Sequence, residues 1–119
     1  MKQKEITLCG KQVMIGYCFA TEFAFKRFTG VNLDGFDGTD PEHIMYLILS
    51  GIAAYYQKNK IDAPIKDEDL MYESNPKELL ESLHEVLNLR AEWYEELKGK
   101  TEPEKSADPD RKRRKPKNA

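Results

Sequence analysis

Residues 40–59, DPEHIMYLILSGIAAYYQKN, constrain this chain more than any other stretch, because they form its strongest helical pattern. Asp40 supplies a capping side chain, Pro41 suits the first helical position, and nothing inside the run breaks it. At about 100° per residue, apolar or small side chains from Ile44 to Tyr56 cover roughly three-quarters of the circumference, leaving Ser50 nearly alone on the remainder. Such a helix needs neighbours on several sides and is expected at the centre of a small domain. Ser50, Gly51 and Ala54 fall together on the wheel and would admit a closely approaching backbone, while Ile44, Ile48, Ile52 and Tyr55 make a bulkier ridge. The uncharged stretch from Ile44 to Tyr56 is shorter than the ~20 residues a bilayer requires, so no membrane span is expected.

The segments before this helix divide into two patterns. Glu5 to Cys9 and Gln12 to Gly16 read as short strands around a Gly10-Lys11 turn, with Ile6, Leu8, Val13 and Ile15 on one buried face. Two strands are marginal alone, so this face is expected to lie on helices. From Tyr17 to Phe28 the spacing becomes helical, with Tyr17, Ala20, Phe23, Ala24 and Phe28 on one side. Glu22 and Lys26 are expected to pair on the other, and Gly30 to end the helix. Val31 to Thr39, with two Asp-Gly pairs, reads as a loop. The spacing of Asp34, Asp37 and Asp40 does not fit a calcium-binding loop, and turn chemistry accounts for these residues.

After Asn59 the chain turns, and Asp67 to Tyr72 reads as a short helix. Ser74 or Asn75 then caps a long final helix that starts at Pro76 and is expected to stop at Gly99. Its apolar stripe is Leu79, Leu83, Val86, Trp93 and Leu97, flanked by Leu80, Leu87 and Tyr94. Beyond Lys100 the composition changes: the tail is rich in proline and charge, carries the basic run Arg111 to Lys117, and is expected to be disordered. The expected architecture is therefore α+β and mostly helical, a two-stranded hairpin packed on three main helices plus a short one. Residues 1–99 form one domain and 100–119 a basic tail.

Charge is distributed unevenly. The whole chain has a formal charge of -2, yet the tail from Lys100 holds eight basic and four acidic residues, so residues 1–99 hold eleven basic against seventeen acidic. An acidic body argues against a nucleic-acid-binding face on the domain, which would need clustered Lys and Arg. The N-terminus enters strand-like alternation with no apolar signal region, which makes the cytoplasm the expected location. Cys9 and Cys18 are too few for a disulfide framework and are expected to be reduced packing residues.

No arrangement of residues specifies catalysis. Asp40 with His43 and Glu81 with His84 repeat a carboxylate-x-x-His spacing used by helical di-metal sites, but the further inward carboxylates are missing, so no metal or other cofactor is expected. The histidines are expected to cap or to face solvent. No Gly-rich loop links a strand to a helix, and no CxxC occurs. The chain is therefore expected not to be an enzyme. The residues that stand out are aromatic. Arg90 falls within the apolar stripe beside Trp93 and Tyr94; its stem either packs there with its guanidinium on a carboxylate, or it anchors an interface. With Tyr55, Tyr56, Met71 and Tyr72 these are the candidate partner-binding residues. Five Phe, six Tyr and one Trp exceed what so small a core needs. Arg111, Lys112, Arg113, Arg114 and Lys115 are the candidate polyanion contacts.

The order of these segments resembles a known family. The opening ITLCGKQVMIGY, the helix FATEFAFKRFTG, the central helix ending AAYYQ, the segment PIKDEDLMY and the helix with LRAEWYE are similar to tail assembly chaperones of long-tailed bacteriophages and prophages, over roughly residues 4–97. The resemblance implies a non-enzymatic protein that holds the helical tape measure protein while tail tube subunits assemble around it. In that family a longer frameshifted product adds an extension that recruits tube protein, and a homo-oligomeric ring or spiral along the ligand is compatible with the role. The alternative expectation is a nucleic-acid-associated regulatory protein that uses its basic tail.

Overall fold

Alternating apolar residues between Ile6 and Tyr17 fold into an antiparallel hairpin, β1 (Lys2–Leu8) and β2 (Lys11–Tyr17). The pairs Leu8 with Lys11, Ile6 with Val13, Lys4 with Ile15 and Lys2 with Tyr17 place Ile6, Leu8, Val13, Ile15 and Tyr17 on a buried face. The computed structural model describes the backbone of residues 1–101 and the side chains of residues 1–99; the basic run, with Arg111 to Lys115, lies outside them.

The turn differs from the expected Gly10-Lys11. Cys9 and Gly10 occupy it, both with positive φ (53° and 73°), the conformation of a two-residue turn whose twist matches the strands. The buried pairing fixes this register: Leu8 is fully buried, and Lys11 must sit opposite it for Val13 to meet Ile6. Both strands start earlier than expected; β1 ends one residue sooner, at Leu8, and β2 one residue later, at Tyr17. Lys2 and Lys4 continue the inner face at its rim, where their ammonium groups reach Glu96 at 2.8 Å and Glu85 at 2.9 Å.

Tyr17 is thus a strand residue, and the first helix, α1 (Phe19–Thr29), begins two residues after it. Its buried side is Thr21, Ala24 and Phe25, not the expected Ala20, Phe23, Ala24 and Phe28, of which only Ala24 is buried. The Thr21 hydroxyl sets the rotation by donating to the Gly16 carbonyl at 2.9 Å and accepting from the Cys18 amide at 3.2 Å. Gly30 ends the helix with φ 76°, its amide bound to the Lys26 carbonyl at 2.7 Å. The loop that follows holds a 3-10 turn at Leu33–Gly35. Asp37 accepts from both the amide and the hydroxyl of Thr39 at 2.9 and 2.7 Å, as turn chemistry requires, and these bonds hold its carboxyl below the ordinary range.

The central helix α2 (Pro41–Asn59) is capped by the Asp40 side chain, which accepts from the Glu42 amide at 2.9 Å. It packs on β2, α1, α3 (Asp67–Glu73) and α4 (Pro76–Thr101). A Cβ added at Gly51 would stand 3.4 Å from the Ile15 Cβ and 3.6 Å from the Gly16 carbonyl oxygen, ordinary contact distances where β2 packs on the helix. Ser50 is fully buried and returns its hydroxyl to the Tyr46 carbonyl at 2.6 Å.

Asn75 caps α4 through the amides of Lys77 and Glu78. The helix runs through Gly99 rather than stopping there, because Gly99 does not adopt the left-handed conformation of a stop. Its buried line is Ser82, Leu83, Val86 and Leu89, with Leu79, Leu87, Trp93 and Leu97 half-buried and Leu80 exposed. Among the described residues no helix is long and apolar enough to cross a membrane.

Candidate functional site

The aromatic surplus is placed on two separate surfaces. Phe19, Phe23, Phe28, Met71 and Tyr72 are between 46% and 83% exposed, whereas Phe25, Leu47 and Ile48 fill the interior completely. Exposure on this scale is unusual for large apolar side chains that have a core available.

The first surface is the side of α2 that the hairpin and α4 leave open. One hollow, of about 350 Å³, lies between the end of α1, the C-terminal half of α2 and the segment 61–67, with Phe28, Tyr46, Leu49, Ala53, Tyr56 and Ile61 in its walls. Phe28 stacks on Tyr46, ring centroids 5.0 Å apart and planes 20° off parallel. A second hollow, of about 540 Å³, continues past Tyr46 to Met45, Leu70, Met71 and Tyr72, where α3 crosses the start of α2. Tyr56 is held rigid here: its hydroxyl accepts from the Met14 amide at 3.1 Å, and its ring meets Tyr55 edge-on at 4.9 Å.

The second surface joins α1 to the later turns of α4. Phe19 lies edge-on to Trp93 at 5.6 Å and stacked on Phe23 at 6.4 Å. The Trp93 indole nitrogen is buried and has no hydrogen-bond partner among the described residues. Beside it Glu22 accepts from the hydroxyls of Tyr17, at 2.7 Å, and Tyr94, rather than pairing with Lys26 as expected. Burial, then the hydrogen bond to Glu22, pushes the Tyr17 phenol far above its ordinary value; for Tyr94 the bond to Glu22 comes first. Both phenols therefore stay protonated and serve as donors. Arg90 lies over the Tyr94 ring at 5.1 Å and reaches Asp34 at 3.2 Å, which ties α4 to the loop after α1.

The candidate residues named from sequence consequently do not form one constellation. Tyr56, Met71 and Tyr72 line the α2 surface, and Arg90, Trp93 and Tyr94 belong to the α1–α4 surface. Tyr55 is half-buried against Gly16, its Cβ 3.6 Å from where a Cβ there would stand. The sequence pattern does not mark Phe28, Tyr46, Leu49 and Ala53 as surface residues, nor Phe19 and Phe23 as exposed. The available signal was Phe25: once it is taken as the buried residue of α1, Phe23, two residues away and roughly 160° around the helix, must turn outward, whereas the exposure of Phe28 on the flank has no such trace.

Of the two histidines, His43 is the one with a structural role. His43 accepts from the Asp37 amide through Nδ1 at 2.9 Å, its ring set between Phe25 and Phe36, and His84 is exposed. Among the described residues no group of three or more His, Cys, Asp or Glu side chains is placed to hold a metal ion. Cys9 and Cys18 are free, and burial, followed by Asp69, pushes the Cys9 thiol up.

A scan of protein-family models finds none that matches this chain, and searches of curated proteins and of solved structures return no match either.

Proposed function

We propose that this protein is a non-enzymatic assembly chaperone that holds an apolar helical segment of another protein, the tape measure protein in a phage tail pathway. The observation that carries the reading is the exposure of large apolar side chains on α1 (Phe19, Phe23, Phe28), at Ile61 and on α3 (Met71, Tyr72), beside a core of fully buried residues such as Phe25, Leu47 and Ile48. Water-exposed aromatics of this size mark surfaces that another macromolecule covers. Open hollows beside a helix suit helix-in-groove recognition, and Met45 and Met71 supply adaptable contacts that permit later release. The resemblance of residues 4–97 to tail assembly chaperones gives the partner its name, with tail tube protein as a further partner and the host cytoplasm as the place.

Co-expression with the tape measure protein of the same genome tests this. A soluble complex of the two is expected. Equal aggregation of the tape measure protein with and without this chain would overturn the reading. So would tight binding of duplex DNA at physiological salt that disappears when residues 111–117 are deleted, since the competing nucleic-acid reading rests on those residues.

A further inference from the structure

The two hollows beside α2 meet at Tyr46, which stands in the walls of both, and succeed one another along the helix from Glu42 to Gln57; the pair is termed the trough. Its floor repeats at helical spacing through Glu42, Tyr46, Leu49, Ala53 and Gln57. About 15 residue steps of 1.5 Å give roughly 22 Å of length, which matches four turns of a guest helix. Ala53 stands between Leu49 and Tyr56 and leaves a gap that a ridge of side chains on the guest can enter. The charged side chains in these walls are Glu42, Asp62 and Asp67, and all three are acidic.

We infer that the trough takes an amphipathic helix whose apolar stripe is flanked by Lys or Arg. The inference rests on the protein-binding reading above and adds the site and the charge pattern of the guest. The apolar stripe covers Tyr46, Leu49 and Ala53 while the flanking cations face Glu42 at one end and Asp62 and Asp67 at the other. A helix flanked by Glu would set like charges side by side at both ends, so the rim selects against it and fixes the guest's register. The α1–α4 surface lacks this pattern: its Arg90 and Lys26 offset Glu22 and Asp34.

Two labelled helical peptides with the same Leu/Ile stripe, one flanked by Lys and the other by Glu, test this by fluorescence anisotropy against the full chain. The Lys-flanked peptide should bind about tenfold more tightly at low salt, with the gap narrowing as salt screens the rim. Glu42→Lys with Asp62→Lys, both at exposed positions, should reverse the preference, and Ala53→Arg should remove binding of either peptide. Equal affinity, preference for the Glu-flanked peptide, or binding indifferent to Ala53→Arg would overturn the inference. Self-association of the unmodified chain that Ala53→Arg abolishes would overturn it too, assigning the trough to a second copy. If the tape measure protein is still held by the Ala53→Arg chain, the trough inference fails and the chaperone reading stands. If the peptides behave as expected but the tape measure protein is not held, the chaperone reading fails instead.

Discussion

Tyr17, the last residue of β2, donates its hydroxyl to Glu22 on the first turns of α1 across 2.7 Å, and Tyr94 of α4 donates to the same carboxylate oxygen. One side chain thus joins the hairpin, the first helix and the last. Tyr17 is fully buried, and loss of Glu22 would remove the carboxylate that accepts its hydroxyl. Glu22→Ala is therefore expected to cost about 1–3 kcal/mol, the range for an orphaned buried hydroxyl. Adding Tyr17→Phe to that variant should recover part of the loss, and urea denaturation of the two single variants and the double variant measures the coupling.

The same contact predicts alkaline sensitivity. Tyr17 is raised above its ordinary value near 10 by burial and by Glu22, and Cys9 above its ordinary value near 9 by burial and by Asp69. A raised folded-state pKa means that the folded chain keeps its proton longer than the unfolded one. The stabilisation is complete below the unfolded value and is lost as pH rises from there toward the folded one. Stability should hold up to about pH 9 and then fall, by at most about 1.4 kcal/mol per pH unit for each group. Urea midpoints measured from pH 8 to pH 11 test this, and Tyr17→Phe should make the decline shallower.

Gly51 faces the hairpin where β2 packs on α2. A methyl group there would meet the Ile15 Cβ at 3.4 Å and the Val86 Cγ2 at 3.5 Å, both ordinary contacts. Gly51→Ala should therefore stabilise the fold by up to about 1 kcal/mol through helix propensity. Gly51→Leu has no such room and should destabilise by about 1–3 kcal/mol or more. Thermal unfolding of the two variants should move in opposite directions.

The hairpin turn gives a backbone test. Gly10 holds φ 73°, where an added Cβ meets no neighbour, so Gly10→Ala should cost about 1 kcal/mol from strain alone. Cys9 holds φ 53° without being glycine, and Cys9→Asn, which suits that turn position, should be stabilising by about 0.5 kcal/mol. Denaturant midpoints of both variants decide this.

The patterns legible in the sequence were those that one element determines by itself. The Asp40-Pro41 start of α2, the Gly30 stop of α1 and the start of α4 at Ser74 or Asn75, of which the structure uses Asn75, all depend on local chemistry. What was not legible depends on partners distant in sequence. The rotation of α1 is set by Thr21 gripping the Gly16 carbonyl, and the hairpin turn by the pairing of Leu8 with Lys11; neither constraint has a periodic trace. The trough was hidden for a related reason. Because α2 is apolar on most of its circumference, the wheel could not tell which side β2 and α4 would cover, so Tyr46, Leu49 and Ala53 looked like any other core residues. At Gly99 glycine permits a stop but does not impose one, and the helix continues through it.

The most direct test of the account is to map the contact on the protein itself. Titrating the Lys-flanked peptide into the isotopically labelled full chain and following its backbone amide resonances should shift Tyr46, Leu49, Ala53 and Met71 most strongly, leaving Phe19, Phe23 and Trp93 near their starting positions. Shifts centred on Phe19, Phe23 and Trp93, or none at saturating peptide, would contradict it.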